Sequence, residues 1–107
     1  MRADEGAILG TVDALQSASR RGDGAAICRE LFTPRLARSI AAAAKHSCAA
    51  EVRRTLFSPD TSISVQRDVR VTGARATAVI REQNGNVSTL SLRRDGGRWR
   101  IDAVTPR

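Results

Sequence analysis

Residues 63–103 read ISVQRDVRVTGARATAVIREQNGNVSTLSLRRDGGRWRIDA, and the two-residue alternation running through them decides the fold class. Successive side chains on a strand point to opposite faces, so alternating apolar and polar residues predict half-buried β-structure. Ile63, Val65, Val69 and Val71 share one face of a first strand, and Gly73 marks a turn. Residues 75–83 form the second strand, with Ala76, Ala78 and Ile80 on one face and Val79 on the other. Asn84–Gly85 is a two-residue hairpin signal, because a type I′ turn needs positive φ at both central positions. The third strand, 86–93, turns Leu90 and Leu92 inward, and Asp95–Gly96–Gly97 leads into the last. There Trp99, Ile101 and Ala103 alternate with Arg98, Arg100 and Asp102. Four strands joined by short turns predict an antiparallel meander. Arg67 breaks the pattern, being charged in an inward register. A bulge near Gln66–Asp68 would turn it out, as the cost of burying an isolated charge favours; the alternative is an inward anion contact.

Upstream the period changes to 3.6. In residues 4–21, Ile8, Val12, Leu15 and Ser19 step by four, three and four, which predicts an amphipathic helix. Asp4 is the expected N-cap and Gly22 the C′ residue, with Arg20–Arg21 complementing the helix dipole. Asp23 would cap a second helix over 24–32, burying Ile27, Cys28 and Leu31. Thr33–Pro34 restarts the chain with Thr as N-cap and Pro at the first helical position. The third helix, 34–45, buries Leu36 and Ile40. A break at His46–Ser47 precedes a fourth, 48–57, with Cys48, Val52 and Leu56 inward and Ser58–Pro59–Asp60 ending it. Helices followed by a meander give an α+β fold, one domain over 1–107, with the helices against one sheet face.

Aromatic residues make up only 3% of the 107, so the core is aliphatic and few groups can stack on a base. The net charge is +7, yet every basic residue except Lys45 is an arginine and none forms a run of five or six. That Arg-for-Lys, Ala-rich bias is what a GC-rich genome produces. The charge therefore reads as a solvated surface, with backbone-only nucleic-acid binding as a lesser alternative. No stretch approaches the roughly 18 apolar residues of a membrane-spanning helix. Asp4, Glu5 and Asp13 interrupt any secretory-type hydrophobic segment.

Few residues could carry chemistry. Cys28 and Cys48 fall on apolar helix faces and admit three readings: buried free thiols, a disulfide closing a loop of about 20 residues, or a zinc site with His46 that lacks a fourth strong ligand. His46, the only histidine, reads as a surface or capping residue. The strand acids Asp68, Glu82, Asp95 and Asp102 mostly alternate with the inward positions. No cofactor motif and no metal-ligand signature is present.

From Gly22 onward the chain resembles small bacterial domains of the nuclear-transport-factor-2-like superfamily, including extracytoplasmic and lipoprotein members. The resemblance rests on Gly22–Asp23–Gly24–Ala25–Ala26–Ile27–Cys28, on Cys48, on Val69–Arg70–Val71–Thr72–Gly73, and on Gly97–Arg98–Trp99–Arg100–Ile101–Asp102. It implies a bent sheet wrapped around helices as a cone, with a cavity to which Arg67, Trp99, Ile80 and Leu90 would contribute. In phase with Ile101, Trp99 reads as core before ligand platform. The resemblance also favours the Cys28–Cys48 disulfide, which belongs to oxidising compartments. Enzymes of this superfamily use Asp, His and Tyr in the cone. This chain has no Tyr, and its His sits at a helix junction. The implied function is thus a non-enzymatic extracytoplasmic domain, secreted or tethered to a membrane upstream of residue 1, binding a small molecule, peptide or protein, with a homodimer through the sheet as one arrangement. A small cytoplasmic SnoaL-like enzyme using a lone carboxylate, Asp68 or Asp102, is the alternative.

Overall fold

In the computed structural model the chain is described over residues 2–56, 63–82, 85 and 87–106, with side chains described at 4–54, 69–81, 85 and 87–105. Helix α1 spans Arg2–Arg20 and buries Ile8, Val12, Leu15, Ala18 and Ser19, the stripe its sequence period demands. It begins before Asp4, which therefore lies in the first turn and not at the N-cap. There the carboxylate still faces the positive end of the helix dipole, and it meets Arg94 at 3.6 Å. The helix closes with paired bonds, Asp23 N–H to the Ala18 carbonyl at 2.9 Å and Gly22 N–H to that of Ser19 at 3.0 Å. Gly22 turns at φ 68°, a conformation that side chains resist.

The Asp23 side chain then accepts from Ala26 N–H at 3.0 Å, starting α2, Gly24–Ala26. This helix widens at once into a π-helical turn, Ile27–Leu31. Phe32, expected inside the helix, instead leaves it extended and fully buried, in a parallel bridge with Ile101. One cause is local, since Thr33 precedes a proline, which disfavours helical geometry there; the other is long-range, its N–H donating to the Ile101 carbonyl at 2.9 Å. Thr33 caps α3, Pro34–Ala44, by accepting from Leu36 N–H at 3.3 Å. Lys45 ends α3 in the left-handed region at φ 60°. Ser47 caps α4, Cys48–Glu51, which continues into a second π-helical turn, Val52–Leu56. Cys48 and Val52 are buried as expected. The Leu56 side chain and Ser58–Pro59–Asp60 lie outside the described residues.

Strands β1 (Ile63–Thr72), β2 (Arg75–Glu82), β3 (Val87–Asp95) and β4 (Arg98–Pro106) form one antiparallel sheet in sequence order. Cross-strand rows build the core face: Val71, Ala76, Leu92 and Ile101 in one, Ala78, Leu90 and Val104 in the next. Against them pack Ile8, Val12, Leu15, Ile27, Phe32 and Val52, giving the α+β architecture that the two periodicities imply. At the hairpin Gly85 has φ 90°, while Asn84 lies outside the described residues.

Two irregularities bend the sheet. Between Val65 and Val69, β1 advances four residues while β2 advances two, from Ile80 to Ala78. This is where the charged Arg67 predicted a bulge; its side chain lies outside those described. On β4, Ile101 faces Leu92 but Ala103 faces Ser91, so Asp102 is an inserted residue. The insertion reverses the phase of the strand. Val104, not Ala103, therefore stands opposite Leu90 and packs on the core.

Candidate functional site

Cys28 and Cys48 are joined by a disulfide with Cα atoms 6.2 Å apart. The approach is prepared by Gly24, where an added Cβ would overlap the backbone carbonyl of Ala49. The starts of α2 and α4 thus touch backbone to backbone, and Cys28, one turn beyond Gly24, meets Cys48 beside Ala49. The bond consumes both sulfurs, which removes the free-thiol and zinc readings. His46 is exposed, with Nε2 2.9 Å from Oε1 of Glu51.

Of the residues expected around a cavity, Ile80 and Leu90 are fully buried on the core face. Trp99 is 5% exposed and packs toward α1, its carbonyl accepting from Thr11 Oγ1 at 3.0 Å. The Arg94 guanidinium lies 5.7 Å from the centre of its ring. Trp99 also borders a shallow cleft of about 330 Å³ with Ala7, Gly10 and Ala14. The side chains of Arg67 and Asp68 are not among those described.

A different site appears on the opposite face of the sheet. Register aligns Arg70 with Thr77 and Ser91 in one row, and Thr72 with Arg75 and Arg93 in the next. These six residues line an open groove of about 360 Å³, with Asp102 among its walls. Arg70, Arg75 and Arg93 are exposed, and among the described residues no acidic side chain forms an ion pair with any of them.

Asp102 is held firmly. Its Oδ1 accepts from Thr33 Oγ1 at 2.7 Å and from Arg35 Nε at 3.2 Å, while Oδ2 lies 3.1 Å from Arg35 Nη2. Arg35 Nη2 also donates to the Asp102 carbonyl at 2.6 Å. Hydrogen bonding from Arg35 lowers the Asp102 pKa, partial burial opposes this, and Thr33 and the charge of Arg93 lower it further. A carboxylate tuned in this direction is a weakened base, the opposite of what proton abstraction near neutral pH requires.

Sequence reasoning saw dispersed arginines and missed this groove. A signal was present: Arg70, Arg75 and Arg93 all occupy outward positions of the alternation, and the tight turn at Gly73 already places Thr72 opposite Arg75. Nothing local announced the Asp102 insertion, which depends on pairing with β3.

No protein-family model and no curated protein matches the chain. Among solved structures it is similar to the crystal structure of an NTF2-like protein of unknown function from Shewanella baltica OS155. The TM-score is 0.70 at 14% identity, covering 100% of this chain and 94% of that one. At that identity the likeness is one of fold: the chain has the nuclear-transport-factor-2-like architecture implied by its sequence.

Proposed function

We propose that this chain is a non-enzymatic extracytoplasmic domain, secreted or membrane-anchored, that binds a small molecule, peptide or protein partner on the outer face of its sheet. The observation that carries this reading is the contrast between the two faces. The inner face is packed with apolar side chains, Ile80, Leu90 and Ile101 having no exposed surface, whereas the outer face holds an open groove rich in hydrogen-bond donors. Convergent polar groups in a concavity are the usual mark of a binding site. The disulfide supports an oxidising compartment, and no helix among the described residues is long and apolar enough to cross a membrane. The lone-carboxylate enzyme loses support at Asp102, whose proton affinity is lowered.

Amide chemical-shift mapping with a panel of small anions, neutral fragments and short peptides tests the reading. Binding here perturbs residues 70–77 and 91–93. Perturbations centred on Ile80, Leu90 and Trp99 would place recognition inside the cone and overturn it.

A further inference from the structure

Arg75 and Arg93 stand directly opposite one another on β2 and β3, and Arg100 extends the row onto β4. Opposed residues on antiparallel strands hold their Cβ atoms roughly 4.5–5.5 Å apart, and like charges so placed repel. Arg70 adds a further cation one row away, in register with Thr77 and Ser91. The one carboxylate lining the groove is already engaged by Arg35 and Thr33. Arg100 continues the row in register but does not line the groove, its Nη1 reaching the Arg29 carbonyl at 3.5 Å and its Nε being buried, so Arg70, Arg75 and Arg93 are the cations of the groove itself.

Resting on the outer groove as the binding site, we propose that this arginine row takes a phosphate group, carried by a small soluble molecule or a lipid headgroup. Each guanidinium is a planar fork of donors suited to phosphate oxygens, and several such forks around one dianion form strong charge-assisted bonds. The Thr72, Thr77 and Ser91 hydroxyls supply further donors on the same surface. A monocarboxylate offers fewer oxygens and less charge. The volume of about 360 Å³ suits a small ligand. A second copy of this chain fits poorly, because a two-fold interface through this face would set the same arginines against each other.

The test combines thermal unfolding and calorimetric titration, using inorganic phosphate and a short alkyl phosphate against chloride at matched ionic strength. Arg75→Gln and Arg93→Gln are compared with Arg38→Gln, an exposed change on α3 away from the groove. Removing Arg75 should raise the melting temperature in chloride by relieving repulsion, and removing either groove arginine should weaken phosphate binding about tenfold or more. Arg38→Gln should change neither. Vesicles containing phosphatidic acid separate the two sources. Binding of the alkyl phosphate in solution assigns a free ligand; binding seen only on vesicles and abolished by Arg93→Gln assigns a headgroup.

The proposal is overturned if neither phosphate nor alkyl phosphate in solution stabilises more than chloride and phosphatidic acid vesicles bind no better than neutral ones, or if binding persists in the Arg75→Gln/Arg93→Gln double variant. In that event, neutral fragments or peptides that still shift residues 70–77 and 91–93 would leave the groove standing as a site for another ligand. Shifts confined to the core side would remove both readings.

Discussion

Replacing both cysteines by alanine tests the feature on which the compartment depends. The Cys28–Cys48 bond spans a sequence separation of 20. On the chain-entropy model, closing such a loop removes about 11 cal/mol/K from the unfolded ensemble, or about 3.3 kcal/mol at room temperature. Unfolding entropy near the midpoint is roughly 2.1 cal/mol/K per residue, which for a chain of 107 residues converts that loss to a fall in Tm of about 15 °C. The structure argues that little of this is offset by strain relief in the folded state. The Cα separation of 6.2 Å lies within the ordinary disulfide range, and the Gly24–Ala49 contact holds the two helix starts together independently of the sulfurs. The assay is calorimetric unfolding of oxidised protein beside the Cys28→Ala/Cys48→Ala variant, with thiol titration of denatured, unreduced protein. The expectation is a drop of about 10–15 °C, a preserved fold, and no titratable thiol in the oxidised sample. Two reactive thiols in protein prepared under oxidising conditions, or a Tm within about 3 °C of the parent, would refute the reasoning and withdraw the main support for an extracytoplasmic setting.

Gly24→Ala places a methyl group against the Ala49 carbonyl and should cost about 2 kcal/mol or more in chemical denaturation, whereas Gly10→Ala, with open space around it, should not destabilise. Asp102 ionises more readily folded than unfolded, so its stabilising contribution is complete above the unfolded value near ~3.9 and is lost as pH falls through the lower folded value. Urea unfolding between pH 2 and 8 should therefore show Asp102→Asn flattening the acid limb; an unchanged slope below about pH 4 would contradict the Arg35–Asp102 pairing. Lys45→Gly relieves a left-handed backbone at φ 60° and should raise stability by about 1 kcal/mol, read as a Tm increase of about 4 °C.

What the sequence determined by itself was whatever a few neighbouring residues control. The Ile8, Val12, Leu15 stripe, the caps at Asp23 and Thr33, the break at His46–Ser47, the turn glycines and the strand alternation each depend on a period or a single bond within one turn of chain. Those signals are enough for four helices followed by a meander. The bulge on β1 was legible for a related reason: a charge in an apolar register has a cost that the chain avoids locally. The two cysteines, by contrast, left three chemical readings open on their own residues; the resemblance favoured the disulfide, and the Gly24–Ala49 contact is what brings the sulfurs together. Phe32 left its helix where the next residue, Thr33, precedes a proline and bonds to Ile101, far along the chain. Asp102 became an inserted, ion-paired residue only through the register of β4 on β3. The arginine row is the clearest case. Arg75, Arg93 and Arg100 are dispersed in sequence and come into one row only when three strands are laid side by side, because register between strands is a long-range property that no local pattern encodes.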